Sequence, residues 1–222
     1  MNLEECSNLP SQLMNKSINP FTHVASADLT LTLTHEKFDQ IRSNCKYYSP
    51  NGNCTSSFAD KNLNILHLNA RSIHSDIRFD EFQLFISGSN VQWQVICISE
   101  SWMSNEMIPL RQLDGYTGYF KNRKIKSGGG VIIYVSNNHI QHSSEIIMEN
   151  NCLEAVFVQC QLSPSVTFIV GQIYRPPSMD SSLFINELNN CIEELDKMNK
   201  TTFLCGDFNI DLFSLLNDNH SQ

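Results

Sequence analysis

The chain has no CxxC pair, no apolar run long enough to cross a membrane, no internal repeat and no excess of basic charge. Each absence narrows the reading. Its eight cysteines stand at 6, 45, 54, 97, 152, 160, 191 and 205, without the tight ligand pairs that zinc modules use. Cys97, Cys160 and Cys205 each sit inside an apolar run, which predicts buried, reduced thiols in an intracellular chain, nuclear or cytoplasmic. The opening MNLEECSNLP is acidic and lacks the apolar core of a signal peptide, so secretion is not expected. The Asn-x-Ser/Thr triplets at Asn15, Asn53, Asn199 and Asn219 then read as chance matches. No stretch approaches the ~18 apolar residues of a membrane span, and no membrane partner is expected. With 15 Lys and Arg against 23 Asp and Glu, the formal charge is -8. That balance argues against a simple coat on nucleic acid, whose phosphates need local cations. A small basic surface beside an acidic site remains compatible with it.

What is present falls into two blocks. Residues 1–60 are rich in Asn, Ser and Thr, carry Pro10, Pro20 and Pro50, and have one short alternating segment at 29–34. They predict a poorly ordered leader, followed by a domain over 61–222. From Leu63 onward apolar runs recur at 63–68, 95–98, 131–135, 155–162, 166–174 and 202–205. They are rich in Val, Ile and Phe and bounded by Gly, Asn, Ser or Pro, as strands are. Helical patterns lie at 76–87, with Ile77, Phe79, Phe82, Phe85 and Ile86 on one face, and at 180–198, with Asp180 as N-cap. Ser163-Pro164-Ser165 between two runs predicts an antiparallel hairpin. The whole predicts an α/β domain in which sheet packs on sheet.

Polar residues cluster where those runs stop. Asn69 follows the first, Glu100 the second, Tyr174 ends the fifth with Arg175 after it, and Asp207 and Asn209 follow the last. Singly, each has a plainer reading: Asn69 as a turn residue, Glu100 as a solvated strand end. Gly206-Asp207-Phe208-Asn209 is more specific, because the glycine permits a tight backbone and Asp and Asn alternate on extended chain. Jointly they describe a convergent site at one rim of a sheet. The densest basic stretch, 121–126, contains Arg123, Lys124 and Lys126 and is either a solvated loop or a DNA-backbone contact. The glycines at 128–130 that follow it enter a strand, which is not the arrangement of a phosphate-cradling loop.

The strings LHLNARSI (66–73), ISESWM (98–103), GGGVIIYV (128–135), IYRPP (173–177) and GDFNIDL (206–212) together resemble the endonuclease domain of LINE-type, non-LTR retrotransposons. That domain belongs to the endonuclease/exonuclease/phosphatase superfamily, with apurinic endonucleases, DNase I and inositol-polyphosphate phosphatases. The resemblance covers about residues 63–212. It implies a DNase I-like, two-sheet β-sandwich flanked by helices, and Mg²⁺ (or Mn²⁺)-dependent hydrolysis of DNA. By position, Glu100 is implied as the metal ligand and Asn69 as part of the metal and phosphate environment. Asp207 is implied to orient or deprotonate water, Asn209 to bind a phosphate oxygen, and Tyr174 to contact the phosphate. Arg175 is open between charge stabilisation and a structural ion pair.

The resemblance also implies a later Asp-His motif. The chain ends ten residues after GDFNIDL, so the fold is expected to be incomplete at its C-terminal side and the activity weak or absent. Two alternatives stand beside the endonuclease: a non-catalytic nucleic-acid- or protein-binding remnant, and a phosphoesterase of this fold acting on a lipid or inositol phosphate.

Overall fold

A computed structural model describes residues 63–123, 128–148 and 152–210. The leader expected over 1–60, the alternating segment at 29–34, Lys124 and Lys126 lie outside the described residues. The chain divides into two units, and every described residue belongs to the second, Thr34–Gln222.

The described elements are β1 (Ile65–Asn69), α1 (Asp76–Ser87), β2 (Val95–Ser99), a 3₁₀ turn (Asn105–Leu110), β3 (Tyr116–Lys121), β4 (Val131–Ser136), β5 (His142–Ile146), β6 (Glu154–Ser163), β7 (Val166–Tyr174), α2 (Ser181–Asp196) and β8 (Thr201–Asp207). They build two four-stranded mixed sheets, in the orders β1-β2-β4-β3 and β5-β6-β7-β8. The predicted hairpin of β6 and β7 is antiparallel, with a bulge between Gln161 and Ser163.

The run-like strands are explained by burial on both faces. Every residue of β2 and β4 is buried. One face of the first sheet (Val95, Cys97, Ile133, Val135) meets Val156, Val158, Cys160 and Val170 of the second. Its other face (Ile96, Ile98, Ile132, Tyr134) receives Phe79 and Phe82 of α1. The outer face of the second sheet (Phe157, Ile169, Ile173) receives Phe184, Cys191 and Leu195 of α2. Helix, sheet, sheet and helix thus form four layers. Phe184 is fully buried, which is worth ~1.5–3 kcal/mol of transfer from water.

Both helices begin on side-chain caps that satisfy free N–H groups of the first turn. Ser75 Oγ accepts from Arg78 N at 3.4 Å and Asp180 Oδ1 from Leu183 N at 2.9 Å. The inward stripe of α1 is narrower than the sequence pattern implies. Phe79 and Phe82 are buried and Ile86 packs behind them, whereas Ile77 and Phe85 are exposed. Strands β3 and β5 are additions to the sequence reading. Both are edge strands, YTGYFK and HSSEI; Tyr116, Tyr119 and Phe120 of the first pack on the core, and the second is mostly polar. Their formation is dictated by neighbours rather than by their own pattern.

Candidate active site

Pairing direction decides which residues meet. β1 runs parallel to β2 with Asn69 opposite Ser99, and β7 runs parallel to β8 with Tyr174 opposite Asp207. The carboxyl ends of these strands carry Asn69, Glu100, Tyr174 and Asp207. Antiparallel β4 and β6 begin at the levels where their neighbours end, Val131 opposite Ser99 and Glu154 opposite Tyr174. β3 ends with Lys121 opposite Val131 and leads into Arg123. Strand starts therefore contribute to the site as well as strand ends.

At its centre, Asn69 Nδ2 donates to Glu100 Oε1 at 2.9 Å and to Asp207 Oδ2 at 2.9 Å. Its Oδ1 accepts from Arg71 N at 3.1 Å, which fixes the amide orientation. Asn69 thus presents a donor, not an oxygen ligand, to the carboxylates. Asn69 is a bridge that holds two acceptors of like charge together.

Glu100 sits at φ +55°, a left-handed conformation uncommon outside glycine and asparagine. Its neighbours enforce this. Ser101 N donates to Gly130 O at 3.1 Å and Trp102 N to Gly129 O at 2.8 Å. Ser72 N donates to Glu100 O at 2.8 Å, and Arg71, Ser72 and Trp102 also have positive φ. Backbone strain concentrated in two adjoining loops is characteristic of functional sites. The second oxygen of Glu100 accepts from Trp102 Nε1 at 3.3 Å.

Glu154 is a participant that sequence reasoning missed. Its side chain is 11% exposed and pairs with Arg123 Nε at 2.8 Å, while its other oxygen accepts from Gly130 N. One carboxylate thus anchors both the glycine turn that holds Ser101 and Trp102 and the guanidinium that lies 5.8 Å from the Tyr174 ring centre. Tyr174 is buried, and burial pushes its phenol above the ordinary tyrosine range. Glu100, Glu154 and Asp207 push it the same way and Arg123 opposes them. His67 on β1 lies in the field of Asp207. Partial burial lowers its pKa below the usual value, and Asp207 pulls it back up.

Two expectations change. Arg175 is buried, and its guanidinium donates to the carbonyls of Phe208, Asn209 and Met179 and to Ser181 Oγ, so it ties the 208–209 loop to the start of α2 instead of facing a phosphate. Asn209 does not continue an extended chain beside Asp207. At φ +48° it folds back, its N–H donating to Asp207 Oδ1 at 3.2 Å and its Nδ2 to Arg175 O at 2.8 Å. The Asp side chain captures the backbone two residues on, a turn this residue favours.

No family model matches the sequence, and no curated protein matches it at a significant level. Solved structures do match by fold. One is the endonuclease domain of TRAS1, a telomere-specific non-LTR retrotransposon, at TM-score 0.51 and 12% identity over 68% of this chain and 61% of that domain. Another is a humanized D. rerio TDP2, at 0.51 and 11% over 70% of each chain. The human Nocturnin catalytic domain matches at 0.50 and 14%, covering 72% of this chain and 69% of that one. The chain has the DNase I-like fold. It spans less than two thirds of the TRAS1 domain's length. The DNase I-like fold is the two-sheet sandwich flanked by helices that the resemblance implied.

Proposed function

We propose that the chain is a divalent-metal-dependent phosphodiesterase acting on DNA, of the kind that nicks a duplex. The observation that carries this reading is the Asn69 amide bridging Glu100 and Asp207 at 2.9 Å each, at the rim where both sheets end. The shared fold with the endonuclease domain of the TRAS1 retrotransposon supports it.

The donor set fits Mg²⁺ or Mn²⁺. Among the described residues no group of three or more His, Cys, Asp or Glu is disposed to hold a metal. Two carboxylates are what a hard cation needs when water and substrate phosphate complete its coordination. Glu100 and Asp207 would hold it, and when bound it supplies positive charge at the phosphoryl oxygens.

The protein's own groups supply the rest. In this reading Asp207 also orients the attacking water. Tyr174, kept protonated at neutral pH, donates a hydrogen bond to a phosphate oxygen as charge develops there. Arg123, held by Glu154, adds positive charge beside Tyr174 in an otherwise acidic site. Asn209 and Arg175 position the Asp207 loop.

Nicking of supercoiled plasmid in Mg²⁺ tests this. Glu100→Gln and Asp207→Asn are expected to lower the rate by ~10²-fold or more. Equal nicking by both variants overturns the assignment. Hydrolysis of a phosphomonoester without action on DNA favours a phosphatase of the same fold.

A further inference from the structure

One aromatic residue at the site has no part in the hydrolysis described above. Trp102 is 45% exposed, although tryptophan is a residue that proteins usually cover well. Its backbone is at φ +56°, a conformation that bulky residues rarely adopt. Two contacts fix it there. Its N–H bonds Gly129 O at 2.8 Å, and its indole Nε1 bonds Glu100 Oε2 at 3.3 Å. The indole edge is therefore engaged with the carboxylate of the site while nearly half of the residue is open to solvent.

We propose that Trp102 is a stacking platform for an unpaired nucleobase next to the scissile phosphate. The inference rests on the phosphodiesterase reading and adds a substrate preference to it. An aromatic ring tethered to Glu100 reaches whatever group is attached to the phosphate being cut. A planar base offers it a π-face, whereas a sugar or aliphatic ester does not. The formal charge of -8 gives the chain little general attraction for phosphate backbone, so base stacking supplies affinity that charge does not. A base that must be unpaired to stack directs the enzyme to single-stranded, mismatched or opened sites.

The test is fluorescence titration of the full chain with a single-stranded oligodeoxynucleotide about eight nucleotides long and with an abasic strand of equal length. Ca²⁺ replaces Mg²⁺ to slow cleavage. The chain has two tryptophans, so Trp93→Phe isolates the emission of Trp102. The base-bearing strand is expected to quench it and the abasic strand to leave it unchanged. Trp102→Ala is expected to bind the base-bearing strand about tenfold more weakly and the abasic strand as the parent does. Trp102→Phe, which keeps a ring should the alanine variant fold poorly, is expected to retain most of the affinity. Equal affinity of the parent for both strands, undiminished binding by a folded Trp102→Ala, or no binding of either strand overturns the proposal. Mn²⁺ binding separates the two readings. If Mn²⁺ binding is lost in Glu100→Gln but Trp102 is not quenched, the site assignment stands and the stacking proposal falls alone. Unchanged Mn²⁺ binding in that variant removes the phosphodiesterase reading first.

Discussion

Asn69 at the end of β1 and Asp207 at the end of β8 are joined by a 2.9 Å hydrogen bond that spans 138 residues of sequence and links the two sheets. The same amide nitrogen bonds Glu100, so a neutral donor sits where two carboxylates converge. Without it, like charges would push the strand ends apart.

Replacing that donor by a third carboxylate reverses the effect. Asn69→Asp is expected to destabilise the fold at pH 7 by ~1–3 kcal/mol. Crowded carboxylates hold a proton more tightly in the folded state than in the unfolded one. The deficit relative to the parent should therefore shrink as pH falls toward ~4. Thermal unfolding across that range measures it, and a deficit independent of pH contradicts the bridge.

Glu154→Gln removes one partner of the Arg123 pair and weakens the anchor on Gly130. Arg123 keeps about a quarter of its side chain exposed, so solvent tempers the loss, expected at ~1–2 kcal/mol in denaturant unfolding. Because Gly130 and Gly129 hold Ser101 and Trp102, the emission of Trp102 should also shift. A variant that loses stability with Trp102 unchanged would mean the glycine turn holds without Glu154.

Gly206 has no room for a side chain. A Cβ there would overlap the Ile173 carbonyl oxygen of the neighbouring strand. Gly206→Ala is expected to cost ~1–3 kcal/mol and to displace Asp207, weakening Mn²⁺ binding as well. Full stability and full metal affinity would show that β8 does not set the position of Asp207.

Tyr174 should ionise late. Its folded pKa is raised by burial and by Glu100, so its contribution to stability is present in full below ~10, the unfolded value, and is lost as pH rises through the folded value. Alkaline titration at the phenolate absorbance should lose a component above ~10 in Tyr174→Phe. An unchanged curve above that pH contradicts the assignment.

The strand ends were legible because the central strands carry a signal of their own. β2, β4, β6 and β7 are apolar along most of their length, and a polar residue at their termini stands out. The bounds of α1 were legible from its period, although Ile77 and Phe85 of the expected stripe are exposed and its Ser75 cap was not read. Glu154 was not. It opens an antiparallel strand, and only the β6–β7 register places it opposite Tyr174. Arg175 shows the opposite error, since a cation at a strand end does not announce that its partners are backbone carbonyls of a distant loop. Asn209 was misplaced because sequence alternation assumes extended backbone, and the Asp207 side chain turns the chain instead.

The central claim is that Glu100 and Asp207, held by Asn69, form one divalent-cation site. Titration of Mn²⁺ followed by its electron paramagnetic resonance signal tests it most directly. One bound ion is predicted for the parent chain, with affinity reduced tenfold or more in both Glu100→Gln and Asp207→Asn while both variants remain folded. Binding that is unchanged in both variants contradicts the account.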